Sequence, residues 1–238
     1  MGRSKDLATG TFTNGLTVDT SDQVIINHSG DAGGLRIDST NNTNTGSIRF
    51  GDVADNYIGA VEYNHSTNAL SFYANNATRM TIDTSGYITM PNQPKFRVRR
   101  NSSSLTLTGN NAKQDLIFNV KDFDVGSGYN TTTGKYTVPA TGLYFFFLNP
   151  RFDGISSSTY ARGLIYKGAS VPSSPWSDYE NVLSSIEGNG HSTDYGTMNV
   201  SGIFNCTAGD TIHFLGGGNV DASITLQAES QAGGFMIG

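Results

Sequence analysis

Glu180 and Glu187 are the residues whose type and spacing come nearest to catalytic chemistry. Glycoside hydrolysis requires two carboxyl groups that flank the bond to be cleaved. These two glutamates lie in a segment predicted to be a loop, where solvated surface carboxylates are the simpler interpretation. The histidines do not pair at the spacing of a metal site; they are His28, His65, His191 and His213. We therefore expect a protein that is not an enzyme.

Three aspartates, Asp122, Asp124 and Asp153, are weak candidates for a structural Ca²⁺ site. Hard cations bind carboxylate and carbonyl oxygens, although ordinary surface carboxylates would have the same sequence. No other cofactor is expected. The single cysteine, Cys206, excludes an intrachain disulfide and a cysteine-based metal site. Its apolar neighbours predict a buried thiol.

Two segments combine aromatic and short polar side chains in a way that is typical of binding loops. The first contains Trp176 and Tyr179, and the second contains His191 and Tyr195. Flat aromatic faces next to small polar groups suit sugar rings and protein contacts. We therefore take these four residues as candidate receptor-binding residues, with Trp176 as a core side chain as the alternative.

The composition favours an all-β fold and argues against some partners. The chain has 238 residues with 29 glycines, 36% hydrophobic and 15% charged residues, which suits short strands and many turns. The net charge of -5 argues against binding nucleic acid. No apolar stretch approaches the ~18 residues of a membrane span, so we expect no membrane insertion. Basic residues at 95, 97 and 99 alternate with Phe96 and Val98, which predicts the polar face of a strand; Arg100 completes that basic cluster.

The first half of the chain is polar and repetitive. A short alternating strand followed by Asp and Ser or Thr recurs at residues 16–20, 35–39 and 80–84. One copy of such a segment buries too little apolar surface to offset its ordering entropy, whereas three copies around an axis bury more. Pro91 and Pro94 favour an extended link. We predict a β-rich stalk or attachment region at 1–90, a linker at 91–94 and a globular head at 95–238.

Residues 143–148 (LYFFFL) are apolar on both faces of the predicted strand. Such a strand needs cover on both sides, one from the opposite sheet and the other from a neighbouring subunit. We expect Tyr144, Phe146, Leu148 and Phe235 to form a subunit interface.

The head carries a specific series of motifs: 128–130 (GYN), 133–139 (TGKYTVP), 141–146 (TGLYFF), 208–214 (AGDTIHF) and 233–237 (GGFMI). This series resembles the globular head of complement component one, subcomponent q, which shares the tumour-necrosis-factor-like jelly roll. The resemblance implies a ten-stranded type of jelly-roll sandwich and a homotrimer. Residues 170–195 depart from the family pattern.

Residues 59–73 and 79–86 are similar to repeats of phage tail fibres, notably of phages that infect marine bacteria. This resemblance implies a trimeric stalk in a virion, with other tail or fibre proteins as partners. The head would then contact a host surface polysaccharide or outer-membrane protein. Two alternatives are a secreted or cell-surface, extracellular trimeric lectin-like protein with the same head, and a polysaccharide-degrading tailspike.

Overall fold

The chain is all-β in the computed structural model, which describes residues 42–101, 104–107, 112–155, 160–171, 182–187, 195–218 and 224–238. Of residues 182–187 only the backbone is described. Within these ranges no helix is long and apolar enough to cross a membrane. The repeats at 16–20 and 35–39 lie outside the described residues. The described chain divides into two units, one from residues 42–77 and 82–87 and the other from 78–81 and 88–238.

A five-stranded antiparallel sheet precedes the head, with its strands in chain order. The strands are β1 (Thr45–Phe50), β2 (Gly59–Asn64), β3 (Ala69–Ala74), β4 (Ala77–Ile82) and β5 (Ile88–Thr89). Asn75 and Asn76 between β3 and β4 have φ angles of 51° and 53°, as the tight turn of a two-residue hairpin requires. After β4, Asp83 Oδ1 accepts the N–H groups of Ser85 and Tyr87. The predicted turn at Asp83-Thr84, which closes the 80–84 repeat, is confirmed.

Fifteen further strands follow in the described residues. They are β6 (Lys95–Arg99), β7 (Leu105–Thr106), β8 (Gln114–Asp115), β9 (Val120–Val125), β10 (Tyr129–Asn130), β11 (Lys135–Thr137), β12 (Gly142–Asn149), β13 (Arg151–Asp153), β14 (Tyr160–Lys167), β15 (Val182–Glu187), β16 (Tyr195–Thr197), β17 (Val200–Cys206), β18 (Thr211–Gly218), β19 (Thr225–Leu226) and β20 (Gln231–Met236).

Two main sheets of the head exchange the chain between them, as in a jelly roll. One sheet has the order β10-β11-β18-β14-β15, with β8 paired to β18, and the other has the order β17-β12-β20-β6-β9. The strands β11, β12, β14, β17, β18 and β20 therefore alternate between the two sheets along the chain, and β15 follows β14 within one sheet. A smaller sheet, β16-β13-β19-β7, continues one end. The predicted all-β class and jelly-roll head are confirmed.

The core lies between the two main sheets and is rich in aromatic rings. Phe96 of β6 stacks on Tyr136 of β11 with ring centroids 4.1 Å apart. Phe146 of β12 meets Phe214 of β18 at 6.4 Å. Cys206 is buried here, and burial raises the pKa of its thiol to about 11. The predicted buried thiol is confirmed, and the contacts show that the two sheets pack face to face.

Candidate functional site

The strand β12 alternates strictly, and this alternation decides which residues face away from the core. Tyr144, Phe146 and Leu148 are fully buried, with a relative exposure of 0% each. Their neighbours point to the opposite side because successive side chains of a strand alternate. The prediction that these three residues form a subunit interface is therefore wrong: they fill the core of their own chain. The prediction had the correct strand and the wrong face.

The outer face, which we define by Leu143, Phe145, Phe147, Ile203 and Phe235, is apolar. Leu143, Ile203 and Phe235 are 45%, 65% and 48% exposed. The register places Phe145 beside Ile203 of β17 on one side and beside Phe235 of β20 on the other. The rings of Phe145 and Phe235 are 5.4 Å apart. Of the interface residues predicted from sequence, Phe235 alone lies on this face.

Gly233 flattens the outer face beside β12. A Cβ at this position would come within 2.7 Å of the Phe147 ring and of the Phe96 carbonyl oxygen. The register pairs Gly233 with Phe147. The glycine therefore lets the Phe147 ring lie close over the neighbouring strand, which extends the apolar surface.

The smaller sheet, β16-β13-β19-β7, contains Tyr195, one of the predicted receptor-binding residues, in a polar surrounding. Tyr195 is 57% exposed, and the guanidinium carbon of Arg151 lies 5.0 Å from its ring centroid. Arg151 Nη1 also donates to Glu229 Oε2 at 2.7 Å, and its Nε lies 3.3 Å from Asp153 Oδ1. Glu229 has a φ of 76°, an uncommon value for a residue with a side chain. An exposed ring held by a charged network is a suitable surface for a polar ligand.

The remaining binding candidates cannot be placed on this surface. Trp176, Tyr179 and His191 lie outside the described residues, as does Glu180. The side chain of Glu187 is also outside them, although its backbone forms the end of β15. Their roles stay predictions.

The three aspartates of the weak calcium prediction are not brought together. Asp122 pairs with Arg97 and Arg99. Asp124 accepts the N–H groups of Gly128 and Tyr129 and pairs with Lys121 Nζ at 2.7 Å, so it holds a turn. Asp153 lies beside Arg151 in a different sheet. In the described part of the chain, no three His, Cys, Asp or Glu side chains are grouped so as to hold a metal ion.

A histidine and a carboxylate form a buried pair on the other main sheet. His213 Nδ1 lies 2.8 Å from Asp115 Oδ1, and its Nε2 lies 3.0 Å from the Gly168 carbonyl oxygen. His213 is fully buried, and both of its ring nitrogens have partners. Because neither ring nitrogen of His213 is exposed, the pair cannot reach a substrate. It is suited instead to holding β8 and the turn after β14 against β18.

The five-stranded sheet before the head has one polar and one apolar face. On the polar face, Glu62 accepts hydrogen bonds from Tyr57 and Tyr73, at 2.8 and 3.4 Å. Burial, followed by its hydrogen bond to Glu62 and the Glu62 charge, raises the pKa of Tyr57 to about 12. On the apolar face, a groove of about 280 Å³ is lined by Gly46, Ser47, Ile48, Val61, Tyr63, His65 and Leu70. Ile48 and Phe50 are exposed there. A single chain leaves this face uncovered by its described residues.

Comparison with solved structures finds a complement globular domain, an APRIL and a TNF among the similar chains. The globular domain of zebrafish complement 1qA is 20% identical, with 61% of this chain and 98% of that chain covered and a TM-score of 0.42. Murine APRIL at pH 5.0 is 12% identical over 61% of this chain and 99% of that chain, also with a TM-score of 0.42. The Eiger TNF of S. frugiperda is 15% identical, with 61% and 94% covered and the same TM-score. No family model matches the sequence, and neither does any curated protein.

Sequence reasoning did not identify the apolar outer face as a possible binding surface. It also assigned no function to Arg97 and Arg99, which lie beside this face. Leu143, Phe145 and Phe147 were not distinguishable from the core residues between them, because both sets are large and apolar. Ile203 stands between Ser201 and Asn205 at the same alternation. A lone exposed apolar residue is ordinary, and it becomes informative only when the fold places it in one contiguous patch with Phe145 and Phe235.

Proposed function

We propose that the chain is a homotrimeric, non-enzymatic attachment protein of a phage tail fibre. The five-stranded sheet and the preceding repeats would form part of a stalk, and the jelly-roll head would bind a host surface polysaccharide or outer-membrane protein. The apolar outer face of the head carries this proposal. The similarity of residues 59–73 and 79–86 to tail-fibre repeats supports the placement in a virion.

The outer face supports self-association on energetic grounds. Full burial of a large apolar side chain is worth about 1.5–3 kcal/mol, so a half-exposed one gains roughly half of this on association. Each subunit contributes Leu143, Phe145, Phe147, Ile203 and Phe235. A closed trimer buries the set three times, a gain of about 11–22 kcal/mol, which is of the same order as the cost of about 4–15 kcal/mol for each of the two association steps.

The proposed number of three subunits comes from the resemblance of the head motifs to the complement and tumour-necrosis-factor-like globular head. The apolar face of the five-stranded sheet is consistent with several copies packing together. The uncovered apolar face with Ile48 and Phe50 is the type of surface that copies of a fibre chain cover for one another. Three heads on one stalk multiply weak individual contacts, because the second and third bind at a high effective concentration.

The contacts of the two described glutamate side chains support a role without catalysis. Glu62 accepts hydrogen bonds from two tyrosines, and Glu229 pairs with Arg151. The rival tailspike function has a direct test, which is the release of reducing ends from host polysaccharide on incubation with the protein. The proposal expects none.

Light scattering of the purified chain tests the assembly. We expect a mass of three times 25.4 kDa. The Leu143→Asp/Ile203→Asp variant should give monomers with an unchanged far-UV circular dichroism spectrum, because a charge cannot be buried in an apolar interface without a partner. Thr137→Asp, at an exposed position of the other sheet, is the matched control and should remain trimeric. A monomeric native chain, or a trimeric double variant, would contradict the proposed interface.

Adsorption to host cells tests the attachment role. Alanine at Trp176, Tyr179 and Tyr195 together should reduce adsorption while the trimer persists. Unchanged adsorption by a folded, trimeric triple variant would remove these residues from the binding surface. Detection of the chain in purified virions distinguishes the fibre protein from a secreted lectin-like trimer.

A further inference from the structure

A row of basic side chains lies on the outer side of β6. Lys95, Arg97 and Arg99 are exposed and alternate with the buried Phe96 and Val98, as the sequence predicts. The register pairs Phe235 with Lys95 and Gln231 with Arg99. Gln231 therefore lies roughly 13 Å along β20 from Phe235. Arg97 pairs with Gly233, which lies beside Phe147 of the apolar outer face, and Arg99 is the end of the row farthest from Phe235.

A groove of about 570 Å³ opens at this end, which we call the arginine groove. Its lining residues are Arg97, Arg99, Arg100, Asn101, Ala228, Glu229 and Gln231. Arg100 departs from the predicted polar face, since it is 9% exposed. Its guanidinium donates to the carbonyl oxygens of Ile117 and Ser104, at 2.7 and 3.2 Å. Arg100 thus forms a fixed, positively charged wall.

Two guanidinium groups in the groove share a single carboxylate. Arg97 Nε lies 3.3 Å from Asp122 Oδ2, and Arg99 Nε lies 2.8 Å from Asp122 Oδ1. The side chains of Arg97 and Arg99 are 49% and 47% exposed. Among the described residues, Asp122 is the carboxylate that either one contacts. Both contacts are made by Nε, so the terminal N–H groups of both guanidinium forks can donate hydrogen bonds to a second anion.

The other carboxylate of the groove is already bound to a different arginine. Glu229 Oε2 accepts from Arg151 Nη1 at 2.7 Å. The local charge is therefore positive, in a chain whose net charge is -5. A polyanion is repelled by such a protein on average, so its binding requires a local positive site.

The geometry points to the arginine groove as a binding site for the acidic groups of a polysaccharide, that is, sugar carboxylates or sulfates. Planar guanidinium forks match both groups through paired hydrogen bonds. The side-chain amides of Asn101 and Gln231 line the same groove and supply donors and acceptors for sugar hydroxyls. This inference rests on the proposed attachment function and narrows its ligand to an acidic glycan.

Biolayer interferometry with three polymers tests the site on the full-length chain. Polygalacturonate carries carboxylates, dextran sulfate carries sulfates, and unmodified dextran carries neither. We expect one or both acidic polymers to bind and the uncharged dextran not to bind. Binding should weaken as NaCl rises, because salt screens exposed charges beyond about 8 Å at physiological ionic strength. Which acidic polymer binds more tightly identifies the group that is recognised.

Variants of opposite expected effect separate ligand binding from a structural role. Arg97→Gln/Arg99→Gln should weaken binding by about tenfold or more, as expected for the loss of charge-assisted hydrogen bonds. Asp122→Asn should strengthen it by several-fold, because it removes the carboxylate that competes with the ligand. A purely structural ion pair predicts no such gain. Arg162→Gln is the matched control on the other main sheet, where Arg162 lies over the Tyr160 ring, and should leave binding unchanged.

Three outcomes would overturn the site: no binding of either acidic polymer, equal binding of uncharged dextran, or undiminished binding by a folded double arginine variant. Weaker binding by Asp122→Asn would also contradict it, and this variant keeps the test valid if the double variant does not fold. Native protein that adsorbs to host cells as a trimer but binds no acidic polymer would refute the site alone. Protein that neither forms trimers nor adsorbs would refute the proposed function itself.

Discussion

Two buried tyrosines of the head differ in the environment of a single hydroxyl group. Tyr129 Oη accepts the N–H of Phe118 at 3.0 Å. Tyr136 Oη is buried and has no hydrogen-bond partner among the described residues, although its ring stacks on Phe96. A buried polar group without a partner costs free energy. The ring of Tyr136 therefore stabilises the core, and its hydroxyl does not.

Replacing each tyrosine by phenylalanine tests this difference. Tyr136→Phe should leave the free energy of unfolding unchanged or raise it by up to about 1 kcal/mol. Tyr129→Phe should lower it by about 1–3 kcal/mol, because the Phe118 N–H loses its acceptor in the core. Urea denaturation followed by circular dichroism measures both. A larger loss for Tyr136→Phe than for Tyr129→Phe would show that the Tyr136 hydroxyl has a partner.

The outward or inward direction of each β12 side chain is also decided at the residue scale. The sequence correctly predicts that both faces of this strand are covered, because both sets of alternating residues are apolar. It does not indicate which set faces the core. A strand slip of one residue exchanges the two faces. Here the core takes Tyr144, Phe146 and Leu148, and Phe146 packs on rings contributed by four other strands. Those contacts are long-range, so local alternation could not identify them.

At the scale of strands, close approach between β20 and its neighbours depends on Gly233. Gly233→Ala should lower the free energy of unfolding by about 1–3 kcal/mol, as for overpacking in a core. The added Cβ would meet the Phe96 carbonyl oxygen at 2.7 Å, and backbone cannot move aside as a flexible side chain can. Thermal denaturation compares it with Gly209→Ala, where no atom lies within 4 Å but φ is 94°. That control isolates backbone strain from crowding. An unperturbed Gly233→Ala variant would show that β6 and β20 can separate at little cost.

Several elements follow from local sequence alone, and others do not. The alternation from Lys95 to Arg99 gives β6 and its polar face, and the Asn75-Asn76 pair gives the hairpin turn. The burial of Arg100 was not predictable, because it depends on carbonyl groups of Ile117 and Ser104 that the fold brings to it. The arginine groove likewise needs β6 and the turn before β20 to meet, and their sequences lie about 130 residues apart.

At the scale of the whole molecule, the strand order of the head could be expected from the resemblance of its motifs, but not from the periodicity of its sequence. Alternation predicts that a strand exists, but it does not say which strand pairs with it. The sheet β17-β12-β20-β6-β9 joins the first and last strands of the head, a pairing that no local pattern indicates. The same limit applies to the candidate site, where Arg151 contacts both Tyr195 and Glu229 only through long-range pairing.

The stability of the whole molecule should fall as pH rises above about 9. Burial raises the pKa of the Cys206 thiol from 9.0 to about 11. Burial also raises the pKa of Tyr129 and of Tyr136 above the ordinary value of 10.0. Between pH 9 and 11 the unfolded chain therefore releases protons that the folded chain retains, and each such group lowers the free energy of unfolding by up to about 1.4 kcal/mol per pH unit.

Urea denaturation at steps of half a pH unit measures this dependence of the free energy of unfolding on pH. Tyr136→Phe should make it shallower above pH 10, because one titrating group is removed, whereas replacement of the exposed Tyr87 by Phe should not. A slope that is flat up to pH 11 would mean that these groups ionise within the folded head.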